Sequence, residues 1–277
     1  MDEKPRLSCQ QRHPSRDQKE PLMDQPATFH DLDTASVFIT GGGSGVGAAL
    51  TDGFLAQGAN VAFIGRSDAS AFIDEMRDKH GRAPMFLQGD VTDTELLHAT
   101  MRQAAEAHGP LNVLVNNAAN DKRHTLEETA PDFWDWMIEV NLKAYYFACQ
   151  EAARQMQGKG GAIINFSSIS YMMGNGGYPI YTTSNAGITG MTRSLARELG
   201  PQNIRVNALA PGWVLTQKQL DMWATPEDLA AHMERQCLKE HLTPDDMIAP
   251  TLFLASRASQ AMTGQCMVVD GGVVVTG

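Results

Sequence analysis

Two side chains in the stretch YTTSN carry the first chemical question. Tyr181 has a phenol that can give or take a proton, and Asn185 follows it four residues later. On a helix that spacing puts both on one face. Upstream, Ser168 closes the strand-like run GAIINFSS, and Asn141 lies inside a long helical pattern. A hydroxyl beside a phenol suits a substrate alcohol or carbonyl, with one group orienting the oxygen and the other exchanging its proton. A second constellation suits a phosphate. In TGGGSGVG, residues 40–47, Gly41, Gly45 and Gly47 allow a tight turn and close backbone approach. The helix that follows offers N–H groups and a favourable dipole around Ser44 and Val46.

These groups act together only if a frame brings them to one edge. From Ala35 onward, short β-branched runs alternate with helical patterns. SVFIT precedes a helical stretch at 45–57, NVAFIG one at 69–80, MFLQG one at 94–108, and LNVLVNN a long one at about 131–157. GAIINFSS precedes a helix at 179–199, and IRVNALAPG a more irregular segment. Nearly continuous apolar strands separated by helices predict a parallel sheet covered on both faces. The fold class is therefore α/β, a single doubly wound Rossmann-like domain whose ligand lies beyond the carboxyl ends of the strands.

Composition narrows the function. A chain of 277 residues buries one sizeable core, which is placed at 31–277. Residues 1–30 show no apolar periodicity and are expected to form a disordered tail, with Met23 as a plausible alternative start. No membrane-length apolar run and no signal-peptide core is visible, so a soluble, cytoplasmic protein is expected. The four cysteines are scattered and the histidines show no ligand spacing, so no metal site is expected. A formal charge of -10 disfavours nucleic acid as a partner and leaves a small molecule as the expected ligand.

In order along the chain, the glycine loop, GDV at 89–91, NNAA at 116–119, Asn141, NFSS, Tyr181 and PGWVLT at 211–216 resemble the short-chain dehydrogenase/reductase family. The resemblance runs from about Val37 to Val273 and implies a nicotinamide-dependent oxidoreductase, assembled as a homotetramer or homodimer. By that resemblance Tyr181 is the acid/base, Ser168 orients the substrate oxygen, and Asn141 supports a water-linked proton path through an irregularity in its helix. Asp90, with Val91, meets the adenine; Asn117 and Ala118 line the cofactor floor. Pro211, Gly212, Val214 and Thr216 complete the cofactor contacts, with Thr216 at the carboxamide.

The chain departs from the family at the Tyr-x-x-x-Lys pattern, where Asn185 replaces the lysine. Asparagine can hydrogen-bond a nicotinamide ribose but brings no charge. A tyrosine ionises near pH ~10, and a neighbouring cation lowers that value by roughly 1 to 3. Losing the cation therefore costs on the order of 10 to 1000-fold in available base. Activity is expected to be weak near neutrality and to rise with pH; oxidised nicotinamide, itself cationic, softens the loss. The alternative is a catalytically impaired nucleotide-binding protein of the same fold, with a sensing or interaction role.

Cofactor choice is read after the second strand, where FIGRSD carries Gly65 in the usual acidic position and then Arg66. Arg66 can pair with a 2′-phosphate, which favours NADP over NAD. The run NNAANDKRH resembles the loop of the family's aldose 1-dehydrogenase branch. Asn120, Asp121 and His124 offer donors and acceptors for several hydroxyls, and Trp213 and Trp223 could form a platform or lid for a sugar ring.

Overall fold

The computed structural model describes residues 27–275. The expected tail and the alternative start at Met23 fall outside the described residues up to position 26, but residues 27–30 are part of the domain. The Phe29 amide donates to Gln57 Oε1 at 2.7 Å, Gln57 Nε2 donates to the Ala27 carbonyl at 3.3 Å, and the Phe29 ring packs on the core. The boundary expected at residue 31 therefore moves to 27 at the latest, because one aromatic ring in an otherwise polar stretch finds an apolar surface.

Seven parallel strands form the sheet: β1 (Ser36–Thr40), β2 (Asn60–Gly65), β3 (Met85–Gln88), β4 (Val113–Asn116), β5 (Gly161–Phe166), β6 (Ile204–Pro211) and β7 (Cys266–Val269). Their spatial order is β3-β2-β1-β4-β5-β6-β7. The order reverses between β1 and β4, whose register aligns Thr40 with Asn116 at the carboxyl ends. That reversal opens a crevice where neighbouring connections run to opposite faces.

The helices follow from the intervening patterns. They are α1 (Gly45–Ala56), α2 (Ser70–His80), α3 (Thr94–His108), α4 (Pro131–Ile138), α5 (Ala144–Met156), α6 (Ser170–Met173), α7 (Pro179–Leu199), α8 (Gln217–Met222), α9 (Pro226–Arg235) and α10 (Ile248–Ala255). Leu50 and Phe54 of α1, Met76 of α2 and Leu252 of α10 pack against one face of the sheet. Leu97 and Met101 of α3, Ala148 and Ala152 of α5 and Ala196 of α7 cover the other. Alternate strand residues divide between the two cores: Val37 and Ile39 enter the first, and Phe38 the second. All five residues of SVFIT are buried, which is why its three central positions are apolar whichever face they point to.

The long helix expected at 131–157 is interrupted. Residues Glu139–Lys143 form a π-helical turn between α4 and α5, with Asn141 inside it. This is the helix irregularity that the family resemblance implied.

Candidate active site

A cleft of about 1240 Å³ runs along the carboxyl edge of the sheet. One end is built by the glycine loop. Gly41 and Gly45 take φ of +71° and +53°, the left-handed region where a side chain is strained. A Cβ on Gly47 would stand 1.9 Å from the Gly41 carbonyl oxygen and 2.7 Å from Asn117 Nδ2, so the loop folds onto its helix only without one. Asn117 clasps this turn from the far side of the crevice, donating from Nδ2 to the Thr40 and Gly41 carbonyls at 3.1 and 3.2 Å. Thr40 Oγ1 accepts from the amides of Asn117 and Ala118 at 2.9 and 3.1 Å. Ser44 caps α1 without a side-chain bond. The first-turn N–H groups of α1 are thus left to face the cleft, a cradle that fits an anionic diphosphate.

Arg66 and Asp90 stand beyond that cradle, with the guanidinium 3.6 Å from the carboxylate and both side chains open to solvent. Asp90 also accepts from the Thr92 amide and hydroxyl at 3.0 and 2.9 Å. Arg66 is therefore steered towards the cleft mouth by a weak surface pair. Val91, Pro211, Gly212, Val214 and Thr216 line the same cleft. Thr216 also caps α8, accepting from the Gln219 amide at 3.3 Å.

The proton-transfer candidates come from three elements, and buried polar bonds set their orientation. Asn116 Nδ2 donates to Asn165 Oδ1 at 2.9 Å, and Asn165 Nδ2 donates to Thr192 Oγ1 at 3.0 Å, tying β4 and β5 to α7. Ser167 Oγ donates to the Asn185 carbonyl at 2.9 Å. These bonds fix the rotation of α7, so that Tyr181 meets Ser168 across the cleft floor. Asn141 Oδ1 accepts from the Asn120 amide at 2.7 Å, and its Nδ2 donates to the Asn120 and Met137 carbonyls at 3.0 and 2.9 Å. The π-helical turn thereby holds the loop after β4.

Burial, then the nearby Asp121 carboxylate, pushes the Tyr181 phenol up to about 12, against hydrogen bonding from Ser168 and Asn185. Asn185 is buried, and its Nδ2 donates to the Tyr181 carbonyl at 2.8 Å. One of its two N–H donors is therefore spent on its own helix.

His124 does not belong with the substrate contacts expected for it. It is buried and its ring lies 5.0 Å from that of Phe133. Nδ1 is bonded to the Lys122 carbonyl at 2.9 Å, and Nε2 accepts from the Ile180 amide at 3.3 Å. Nδ1 thus braces the loop after β4 internally and Nε2 docks it on the start of α7, so no ring nitrogen remains for a ligand. Asn120 and Trp213 do line the cleft.

Sequence reasoning missed the latch over the substrate end. Lys218 Nζ is 2.7 Å from Asp121 Oδ1, Gln219 Nε2 donates to Asp121 Oδ2 at 2.7 Å, and Trp213 Nε1 donates to Gln219 Oε1 at 3.0 Å. Burial alone would raise Asp121, but Lys218 and Gln219 outweigh it and hold its carboxyl below the usual value. The one available signal was position: Lys218 and Gln219 lie two and three residues past PGWVLT, in the connection after β6. Among the described residues, no group of three His, Cys, Asp or Glu side chains could hold a metal ion, and no helix is long and apolar enough to cross a membrane.

Known proteins resemble this chain over most of its length. A family described as enoyl-(acyl carrier protein) reductase matches residues 41–274. The "Probable galactose dehydrogenase GalD" of Rhizobium meliloti (strain 1021) is 47% identical over 248 residues, 88% of this chain and 97% of that protein. The D-xylose 1-dehydrogenase of Caulobacter vibrioides (strain NA1000 / CB15N) is 42% identical over 249 residues, 89% of this chain and 98% of its own. The crystal structure of a short chain dehydrogenase from Burkholderia cenocepacia J2315 in complex with NADP superposes with a TM-score of 0.80 at 31% identity, covering 87% of this chain and 98% of that one. With a parallel sheet in this order, a glycine cradle at its switch point and Ser168 facing Tyr181, this chain belongs to the short-chain dehydrogenase/reductase family.

Proposed function

We propose that the protein is an NAD(P)-dependent dehydrogenase that oxidises an aldose at its first carbon, with Tyr181 as the base. The observation that carries this reading is the meeting of Ser168 and Tyr181 in one cleft with the glycine cradle. The galactose and xylose dehydrogenases among its relatives support a sugar as substrate. When bound, the nicotinamide dinucleotide supplies the acceptor for the electron pair of the C–H bond that breaks. Ser168 Oγ holds the sugar hydroxyl, and the Tyr181 phenolate takes its proton. Asn141 keeps the loop after β4 in place, so that Asn120 faces the ring. Arg66, lacking an acidic residue at position 65, gives the site a preference for a 2′-phosphate and hence for NADP. Asn185 leaves Tyr181 without the cation that would lower its ionisation, so turnover is slow near neutrality.

A homotetramer or homodimer in the cytoplasm completes this reading; the half-exposed Trp134 of α4 and Tyr146 of α5 support an interface on that face. The deciding experiment measures initial rates of reduced-cofactor formation with NADP and NAD over a panel of aldoses from about pH 7 to pH 10. Oxidation of at least one aldose, rising with pH, is the expected result. Tight cofactor binding with no turnover on any aldose, alcohol or carbonyl across that range would favour a nucleotide-binding role without catalysis.

A further inference from the structure

Arg123 lies in the loop after β4, on the substrate side of the cleft. Its guanidinium carbon sits 4.0 Å from the centroid of the Tyr178 ring and 5.4 Å from that of Trp223. The Tyr178 ring is in turn 5.7 Å from the ring of Tyr181. The cation therefore stands one aromatic ring away from the phenol that exchanges the proton. Two rings from two different elements set its plane, so little freedom remains to be lost when a ligand arrives.

Its donors are not in use. Among the described residues, no carboxylate pairs with Arg123 and no acceptor takes a hydrogen bond from it. The neighbouring charges are committed elsewhere: Asp121 to Lys218 and Gln219, and Lys122 to the face of Phe133 at 5.5 Å. Trp223 Nε1 is buried without a partner in the same cleft, and so is His232 Nε2. A buried donor normally finds an acceptor, and the unmatched Trp223 N–H beside the unpaired Arg123 fork in one cleft indicates that the ligand supplies the oxygens.

We infer that Arg123, assisted by the Trp223 indole N–H, is a specificity-determining residue that binds two neighbouring oxygen acceptors on the sugar, at the end remote from the carbon presented to Tyr181. A guanidinium edge offers parallel N–H groups, which match paired oxygens. Vicinal hydroxyls of a neutral hexose and the carboxylate of a hexuronic acid both present such a pair. This inference rests on the sugar-oxidising reading and names the part of the sugar that the site selects.

The test compares the native protein with Arg123→Gln, Arg123→Lys and Trp223→Phe on galactose, its 4-deoxy and 6-deoxy analogues and galacturonate. Sugar binding is titrated calorimetrically with saturating cofactor, alongside turnover. Arg123→Gln is expected to weaken binding and raise KM by about 10 to 100-fold, with kcat within about twofold, the range lost with a hydrogen bond to a charged group. Arg123→Lys, which keeps the charge and ring contact but not the fork, restores only part of the affinity. If the oxygens are hydroxyls, one deoxy analogue binds weakly to the native protein and no more weakly to Arg123→Gln. If they are a carboxylate, the native protein prefers galacturonate and Arg123→Gln loses that preference. Unchanged KM, or an equal loss for every sugar including both deoxy analogues, overturns the inference, because a residue that merely supports the lid would act on all alike. Arg123-dependent binding without turnover would instead refute the oxidation and leave this site standing; turnover indifferent to Arg123 would refute this site alone.

Discussion

Replacing Asn185 by lysine isolates the charge that this site lacks. With the Tyr181 phenol pushed up to about 12 by burial and by Asp121, only about one molecule in 10⁵ carries the phenolate at pH 7. A lysine at 185 lies on the same face of α7 and brings a cation to the phenol, which lowers its ionisation by roughly 1 to 3. The sign is direct: the active form is deprotonated, so a lower value enlarges the active fraction at every pH below it. Asn185→Lys is therefore expected to raise kcat/KM at pH 7 by about 10 to 1000-fold. Because the lysine protein ionises first, the gap should shrink only once pH passes its lowered value and close as the native phenol ionises at about 12, so the change falls between about pH 9 and pH 12. The assay is initial-rate reduction of NADP with the best aldose, each protein followed across that range, with cofactor affinity measured separately by fluorescence. A native profile that is flat from pH 7 to pH 9 would refute the reasoning, since it would mean that Tyr181 is already ionised without a cation. A gap that stays constant with pH would refute it differently, assigning the lysine to ribose positioning.

Four other perturbations test separate parts of the structure. Asp121→Asn removes the second-largest influence raising Tyr181 and keeps a hydrogen bond for Gln219, so the rise of rate with pH should begin at lower pH; an unshifted profile would exclude Asp121 as an electrostatic neighbour. Gly47→Ala forces a methyl against the Gly41 carbonyl and should lose about 1 to 3 kcal/mol in urea denaturation together with cofactor binding; an unchanged midpoint would show that the loop yields. Arg66→Gln should raise KM for NADP by about 10 to 100-fold and leave NAD within about twofold, and equal effects on both cofactors would remove Arg66 from phosphate recognition. Burial holds the His108 imidazole below its ordinary value, and its Nδ1 has no partner. Protonation then favours the unfolded chain, so stability should fall as pH drops from about 6.5 towards the folded value, and His108→Gln should flatten that part of the Tm profile.

The parts of this protein visible in the sequence are those written in local order. Strand and helix positions follow from apolar runs and their separation: the helices expected at 94–108 and 179–199 match α3 and α7. The glycine loop was legible because a phosphate cradle needs small residues at close spacing. Ser168, Tyr181 and Asn141 were legible only as a set of family positions, since a single serine or tyrosine resembles any packed one. His124 misled because the polarity of a side chain does not say where it points. One of its nitrogens braces the loop and the other docks it on a helix, which only the folded neighbours Lys122 and Ile180 reveal.

By itself, then, the sequence determined the sheet, its covering helices, the cofactor cradle and the missing cation at 185, all consequences of residue type and short-range spacing. Tertiary structure alone decided the latch between Asp121 and Lys218, the stacking of Arg123 between Tyr178 and Trp223, and the high ionisation of Tyr181. Those features join residues far apart in the chain, and their strength depends on distance and on exclusion of water, neither of which a linear order of residues encodes.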